Sequence, residues 1–397
     1  MVMARENPPD PLDKECVDYC DPDPFEVSAQ GHDFTFYPRG KDRLKNLLDL
    51  IANARETLDV FYYMFQDDVS GTKVRDALAE ASGRGVKVAL IVDDFGSDAP
   101  PSFFEPIVEA GGDFAIFSAD WNVRYLVRNH QKFAIADNAR VMTGGSNVSD
   151  HYFAVPADNG WCDLGVLIEG PLAEQFTKWF KLLKDWTESD GSQFRRVRKM
   201  IRDWDPGDGS VQLLVGGPLI RRSHWSYAFK KDLRKASRLD LVTAYFGPPR
   251  SFRRAIAKVA KRGKARLITA GKSDLEGTIA VARLFYKRLL KAGASIFEFQ
   301  PCKLHMKLLV VDDKSYFGSA NLDRRSVRIN IELMIRVEDE ALAQRLREFI
   351  DGLQEATILA DKQWYRENSS LLERVRWRLY HWLSLVDYRA GRMAAST

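Results

Sequence analysis

The chain carries the same short pattern twice, and this internal duplication is the feature that most restricts its fold. The first copy begins at His130 and the second at His305, and each has the form H-x-K-x4-D followed by a Gly-rich segment. The two copies share a lysine, an aspartate and an asparagine, which are Lys132, Asp137 and Asn147 in the first and Lys307, Asp312 and Asn321 in the second. A repeat on this scale predicts two related structural units.

Helical and strand periodicities alternate around each copy. Apolar residues recur at helical spacing in 43–55, 71–84, 226–237, 253–261 and 279–292. Short runs rich in β-branched, aromatic and other apolar residues separate them, at 58–65, 86–92, 239–246 and 265–270. Strands that alternate with helices are typical of an α/β fold with a largely parallel sheet.

The same patterns predict the domain organisation. Residues 1–30 are rich in Pro, Asp and Glu and are expected to form an extended arm. The two halves are expected at 31–205 and 206–360, joined through 203–217, whose Pro and Gly are typical of a linker. Residues 361–397 form a separate tail with a basic amphipathic pattern.

The duplicated residues suit one kind of chemistry. Histidine and lysine two residues apart on a strand project to the same face, and the apolar FAIA and LLVV that follow are typical of buried strands. Lysine and asparagine side chains can hold the anionic oxygens of a phosphodiester. One neutral imidazole can attack phosphorus, and a protonated one can supply a proton to the leaving alkoxide. We therefore expect His130 and His305 to face each other in one metal-independent site, with Asp137 and Asp312 bracing the strand ends.

Composition limits which binding partners and which cellular compartment are expected. The net charge of +4, from 59 basic and 55 acidic residues, does not by itself predict nucleic-acid binding. Cys16 and Cys20 are close together, but no second close pair completes a zinc site, so no metal or other cofactor is expected. No apolar run reaches the ~18 residues that a membrane span needs. We expect a reduced, cytoplasmic protein that is soluble or peripheral to a membrane.

Longer phrases around both copies resemble those of a known family. With the duplicated motif, the chain resembles the phospholipase D superfamily, and more closely the bacterial cardiolipin synthases within it. The phrases that carry the closer resemblance are 62–65, 84–88, 144–147, 161–163, 168–171, 318–326 and 330–332. The resemblance spans residues 35–355. It implies two α/β/α sandwich halves with mixed, mostly parallel sheets, related by pseudo-twofold symmetry, with the site between them.

The resemblance also implies roles for individual residues. A carboxylate orients each histidine, and the motif positions for it are Asp163 and Glu332; either could also be a surface or capping acid. His130 is the nucleophile and His305 the acid and base, although the near-symmetry of the copies leaves the reverse open. At matching positions the first copy has Gly145 and the second Ser319, so a serine contact to phosphate is expected on one side only.

The function implied by the resemblance is phosphatidyl transfer through a phosphohistidine, with cardiolipin formed from two phosphatidylglycerols and glycerol released. Phospholipase D hydrolysis to phosphatidic acid and a DNA or RNA phosphodiesterase remain as alternatives. With both motifs in one chain we expect a monomer. Its expected partner is an anionic phosphatidylglycerol surface at the inner face of the cytoplasmic membrane, and not nucleic acid.

The tail leaves two interpretations open. Its apolar residues recur at helical spacing beside Arg374, Arg376, Arg378 and Arg389, as in helices of a bilayer interface, but the same face could pack onto the body of the protein. These apolar residues are Leu371, Leu372, Val375, Leu379, Trp382, Leu383 and Val386.

Overall fold

The structure is a computed structural model that describes residues 19–118, 127–189, 194–218 and 223–394, with the backbone alone at 194 and 387–394. The strands are β1 (Phe25–Ala29), β2 (His32–Tyr37), β3 (Thr57–Tyr62), β4 (Lys87–Asp93), β5 (Asp113–Phe117), β6 (Lys132–Ala136), β7 (Arg140–Gly144), β8 (Gly165–Glu169), β9 (Val211–Gly216), β10 (Arg238–Thr243), β11 (Lys264–Ala270), β12 (Ser295–Phe299), β13 (Lys307–Val311), β14 (Lys314–Gly318), β15 (Glu332–Glu338) and β16 (Thr357–Leu359). The helices are α1 (Gly40–Ala52), α2 (Val69–Gly83), α3 (Glu105–Glu109), α4 (Asp150–Phe153), α5 (Leu172–Glu188), α6 (Phe194–Asp203), α7 (His224–Lys235), α8 (Arg250–Arg262), α9 (Glu276–Lys291), α10 (Arg324–Arg328), α11 (Glu340–Glu355), α12 (Lys362–Asn368) and α13 (Leu371–Ala394).

Two eight-stranded sheets repeat one topology. The first has the order β1-β2-β8-β7-β6-β3-β4-β5 and the second β16-β12-β11-β10-β13-β14-β15-β9. Seven strands correspond in sequence order and in neighbours, since β2 to β8 of the first sheet match β9 to β15 of the second. The extra strands β1 and β16 are added at opposite edges. The two-half α/β architecture predicted from the duplicated motif is confirmed.

The share of parallel pairing was predicted wrongly. The sheets are mixed, but among the named strands of the described residues only β3-β4, β4-β5, β10-β11 and β11-β12 are parallel pairs. The reason lies in the motif, because β6 and β13 each turn back at once into β7 and β14. Asp137, Asn138 and Asp312 have positive φ in these tight turns. Strands joined by so short a turn must be antiparallel.

Two segments predicted to lack regular structure contain strands. Within the predicted arm, residues 25–29 form β1, which pairs with β2, and the ring of Phe25 stacks 4.9 Å from that of Phe36. Residues 1–18 lie outside the described part of the chain. Within the predicted linker, residues 211–216 form β9, which pairs with β15. Leu213, Leu214 and Val215 of β9 are buried, and this burial outweighs the Gly and Pro that flank the strand.

The halves share one interior. The sheets face each other around α5 and α11, and Phe34 of the first sheet makes an edge contact with Phe317 of the second at 5.9 Å between ring centroids. Helices α1 to α4 cover the outer face of the first sheet, and α7 to α9 that of the second. Burial of apolar side chains from both sheets in one layer holds the halves together.

A glycine ends the second strand of each motif hairpin. Gly144 and Gly318 have φ of +146° and +149°, which favours glycine. A Cβ at either position would lie 2.3 Å from the carbonyl oxygen of Leu164 or Leu333 on the neighbouring strand. The chain can therefore turn sharply at these points and bring the following Asn segment back beside the motif lysine.

Candidate active site

Backbone hydrogen bonds between the halves position both histidines. The N–H of His130 donates to the carbonyl of Ile331 at 2.8 Å, and the N–H of His305 donates to that of Cys162 at 2.7 Å. Ile331 and Cys162 immediately precede Glu332 and Asp163. Each histidine is therefore fixed against the segment of the opposite half that carries an acid.

The acids pair with the histidines across the two halves. His305 Nδ1 lies 2.8 Å from Asp163 Oδ2, and His130 Nδ1 lies 3.2 Å from Glu332 Oε2. Asp163 comes from the first half and Glu332 from the second, so each acid serves the other half's histidine. Both carboxylates have no exposed surface. A buried carboxylate on Nδ1 fixes the tautomer and leaves Nε2 available for chemistry.

The lysines lie beside the histidines of their own halves. Lys132 Nζ donates to the carbonyl of His130 at 2.6 Å, and Lys307 Nζ lies 3.0 Å from Nε2 of His305. Both side chains are buried. Two buried ammonium groups next to two imidazoles form a site for an anion between the halves.

Asn147, Asn321, Gly145 and Ser319 also reach this site. Asn147 donates from Nδ2 to Tyr152 Oη at 2.8 Å and accepts from the N–H of Met64 at 3.3 Å. Asn321 occupies the equivalent buried position in the second half. Ser319 Oγ donates to Glu332 Oε2 at 2.5 Å, so in this state the serine contacts the acid.

Burial and mutual charge set the protonation states. Burial lowers the pKa of His130 to about 4, and Lys132 acts in the same direction. Burial and Lys307 likewise lower the pKa of His305. Burial would raise the pKa of Asp163, but Lys307 and His305 hold it well below its ordinary value. Near pH 7 the free site therefore combines ionised acids with neutral imidazoles.

The lysines are affected in the same way. Burial lowers the pKa of Lys307 to about 8 and that of Lys132 well below its usual range. An incoming anion favours the charged form of both groups, so binding and protonation are coupled.

Asp137 and Asp312 do not join the site. They lie at the far ends of β6 and β13, where Asp137 accepts the N–H groups of Glu56 and Thr57 at 2.7 and 3.1 Å. Asp312 accepts the N–H groups of Ser237 and Arg238. Their carboxylates thus cap the loops that precede β3 and β10.

Several residues at the site were not singled out from the sequence. Asp93 is buried and accepts the N–H of Asn129, the residue before His130, at 2.8 Å, and burial raises its pKa to about 7. The ring of Tyr63 lies 4.8 Å from that of His130. Arg43 is buried and donates to the carbonyl of Asp163 at 2.8 Å. Asp93 ends a predicted apolar strand, which is a usable signal, whereas Arg43 lies in an ordinary amphipathic helix.

Gly145 explains the difference between the two Gly-rich segments. A Cβ at this position would lie 2.3 Å from Asp163 Oδ1, whereas the matching Ser319 faces the longer Glu332.

We expect Gly145→Ala to displace the carboxylate from His305 and to lower kcat by about 100-fold. Steady-state kinetics with a melting curve tests this, and Gly83→Ala, where a Cβ meets nothing within 4 Å, is the control. Unchanged kcat in Gly145→Ala would contradict this role of Gly145.

Two further observations concern metals and membranes. Within the described residues, no three His, Cys, Asp or Glu side chains are grouped as metal ligands. Cys20 is free and exposed, and Cys16 lies outside the described part. In the same part of the chain, no helix combines the length and apolar character needed to cross a bilayer.

Known proteins match the chain over most of its length. Residues 47–186 and 230–353 match the family described as cardiolipin synthase, PLD-like domain. Cardiolipin synthase A of Pseudomonas entomophila is 30% identical over 322 residues, covering 79% of this chain and 66% of that protein. The major cardiolipin synthase of Bacillus subtilis is 29% identical over 349 residues, covering 85% and 71%. The chain therefore spans less than three quarters of the length of either relative.

Solved structures with the same fold are more distant in sequence. Phosphatidylserine synthase of Haemophilus influenzae has a TM-score of 0.73 and 13% identity, covering 93% of this chain and 96% of that one. Polyphosphate kinase of Porphyromonas gingivalis has a TM-score of 0.54 and 13% identity, covering 81% and 49%. At such identities these likenesses establish the fold alone. The family match and the curated relatives show that the chain belongs to the cardiolipin synthase, PLD-like domain family of the phospholipase D superfamily.

Proposed function

We propose that the protein is a phosphatidyltransferase that makes cardiolipin from two phosphatidylglycerols and releases glycerol. The curated relatives described above are cardiolipin synthases, which supports this reaction over the alternatives. The observation that carries the proposal is the crossed pairing of His305 with Asp163 and of His130 with Glu332. Together with Lys132 and Lys307, these pairs support a mechanism in which two activated imidazoles act on one bound anion.

In the first step His130 acts as the nucleophile. Its Nε2 attacks the phosphorus of one phosphatidylglycerol, and the bond from phosphorus to the glycerol head group breaks. His305, as imidazolium, gives its proton to the departing glycerol oxygen. Glycerol leaves, and the phosphatidyl group remains bonded to His130.

In the second step His305 acts as the base. It removes a proton from a hydroxyl of the second phosphatidylglycerol, and that oxygen attacks phosphorus. The bond from phosphorus to His130 breaks, cardiolipin is released, and both histidines return to their first state. Water in place of this alcohol would give phosphatidic acid, so the outcome depends on which hydroxyl occupies the acceptor position.

The substrate supplies the charge that the first step needs. The free site favours neutral imidazoles because burial and the two lysines lower their pKa values. A bound phosphodiester adds a negative charge that offsets Lys132 and Lys307, while Asp163 favours the imidazolium form of His305. Glu332 favours the imidazolium form of His130 in the same way, but it lies 3.2 Å from Nδ1 whereas Asp163 lies 2.8 Å from that of His305. The shorter contact favours a protonated His305 in the complex and a neutral His130 for attack.

The proposed setting is the inner face of the cytoplasmic membrane, with a phosphatidylglycerol surface as the partner. Two motif copies in one chain complete one site, which supports action as a monomer. Free Cys20, Cys162 and Cys302 are in keeping with a reducing compartment.

A product assay tests the function. Phosphatidylglycerol vesicles are incubated with the protein in EDTA, and the lipids are separated by mass. We expect cardiolipin and glycerol in equal amounts, at a rate that EDTA does not lower. Phosphatidic acid as the main product would replace the transferase with a phospholipase D. Faster turnover of single-stranded DNA than of lipid under the same conditions would contradict lipid chemistry altogether.

A further inference from the structure

Helix α13 exposes the apolar face that the sequence left unassigned. The seven apolar side chains of the tail, from Leu371 to Val386, are between 44% and 79% exposed. A large part of each side chain therefore faces solvent and not the body of the protein. We refer to these seven side chains as the apolar stripe. The side chain of Arg389 lies outside the described part of the chain.

The stripe has the geometry of a helix that lies flat on an apolar medium. With about 100° of rotation per residue, its seven positions fall within an arc of about 120°. Arg376 and Arg378 lie just beyond the two edges of this arc, and both are exposed. Arg376 also pairs with Glu276 and Glu373 at 3.7 and 3.6 Å, so its charge is partly offset. Long basic side chains at the edges of an apolar face can extend towards charged groups above it.

The opposite face of α13 fixes the helix to the second half. Trp377 is buried, with its ring 5.9 Å from that of Tyr365. The ring of His381 meets that of Phe285 on α9 at 5.2 Å. The helix is therefore held with its stripe pointing outward, and presenting the stripe requires no rearrangement.

A group of arginines adjoins the same helix. Arg253 lies with its guanidinium 3.8 Å above the ring of Phe285, the ring that also meets His381. After burial, the groups that lower the pKa of Arg253, to about 10, are Arg324, Arg288 and Arg250. Like charges held this close attract an anion. Arg324 follows Asn321 of the catalytic site by three residues, and the charges of Arg324 and Arg253 also lower the pKa of His381 on α13, so this arginine cluster adjoins the helix.

We propose that α13 lies in the headgroup layer of an anionic phospholipid bilayer, with the apolar stripe among the acyl chains and the arginine cluster on lipid phosphates. This deepens the proposed function, because it places the catalytic site against the membrane that holds its substrate. The positive charges of Arg378 at one edge of the stripe and of the adjoining arginine cluster complement an anionic bilayer. The same charges would face each other if two copies of the chain paired through their stripes.

Vesicle binding by a catalytically inactive protein tests the proposal without turnover. In a His130→Ala background, Leu379→Glu with Leu383→Glu is expected to lower binding to phosphatidylglycerol vesicles at least tenfold. Arg253→Gln with Arg288→Gln is expected to lower binding to phosphatidylglycerol vesicles by about fivefold per charge removed. The same variant should have little effect on binding to phosphatidylcholine vesicles. Val108→Glu with Tyr227→Glu, at apolar residues of similar exposure on α3 and α7, is the matched control and should bind normally.

A second measurement uses the unaltered stripe. The fluorescence of Trp382 should shift to the blue on vesicle binding and be quenched by lipids brominated along the acyl chains, and Trp382→Phe should remove this signal.

Turnover of a short-chain phosphatidylglycerol below its micellar concentration should be the same in the Leu379→Glu, Leu383→Glu protein as in the native chain. Failure of the proposed reaction would abolish this turnover in both and leave vesicle binding intact.

Two results would overturn the proposal. One is unchanged vesicle binding in the stripe variant with no quenching of Trp382. The other is a native dimer that the stripe variant converts to a monomer without loss of vesicle binding, which would assign the stripe to a second copy of the chain.

Discussion

His130→Ala and His305→Ala are each expected to lower cardiolipin formation by about 10³-fold or more. In the proposed mechanism the two imidazoles carry different parts of each step, so neither can replace the other. His130→Ala removes the proposed nucleophile, and His305→Ala removes the proposed proton donor to the glycerol alkoxide. The rate of cardiolipin formation from phosphatidylglycerol vesicles measures both effects.

His224→Ala is the control for these variants. His224 is half-buried and bonds through Nε2 to the carbonyl of Ile201 at 2.9 Å, outside the catalytic site. Its loss should affect stability and leave the rate nearly unchanged. Activity within tenfold of native in either His130→Ala or His305→Ala, in a protein that melts normally, would contradict the two-histidine mechanism.

Asp163→Asn is expected to lower kcat by about 10³-fold and to move the alkaline limb of the pH profile of kcat to lower pH. The negative charge of Asp163 raises the pKa of His305, which burial and Lys307 lower. Removing that charge lowers this pKa further. Because His305 must be protonated in the first step, activity is lost as the pH rises through its pKa, and the loss then begins earlier. An amide can also donate to Nδ1 and favour the wrong tautomer.

Asp137→Asn provides the comparison. Asp137 accepts backbone N–H groups at the far end of β6, so its change should lower the melting temperature and leave the pH profile in place. An alkaline limb that stays fixed in Asp163→Asn would show that this carboxylate does not act through His305.

The histidines, lysines and asparagines proposed for the site could be picked out from the sequence because each type occurs twice at matching positions, whereas Asp163 and Glu332 came from the resemblance to the family. The pairing of acids with histidines could not be predicted from the sequence. Asp163 follows His130 in the chain, yet it lies against His305, because the segments before the acids bond to the histidine backbones of the opposite half. Such contacts between halves leave no periodicity in the sequence.

The errors in the predicted fold also arise from contacts and turns that periodicity does not show. Periodicity identified β3, β4, β10 and β11 but did not show whether the neighbouring strands are parallel or antiparallel to them. That direction depends on turns such as the one at Asp137. Strand β9 was predicted to be part of a linker because Gly and Pro residues flank it in the sequence. The strand that it pairs with, β15, is more than 100 residues away, so the local sequence does not indicate this pairing. Arg43 was missed because its helix shows no sign that its guanidinium bonds to the carbonyls around Asp163.

A burst experiment with phosphatidyl-p-nitrophenol tests the central claim most directly. This leaving group needs no proton, so the His305→Ala protein should still form the bond between phosphorus and His130 but lack the base to resolve it. We predict one equivalent of p-nitrophenol per chain, no further turnover, and a phosphatidyl adduct on the His130 peptide after an alkaline quench. His130→Ala should give no burst. Steady turnover without an adduct in His305→Ala, or an equal burst in His130→Ala, would contradict a covalent mechanism at His130.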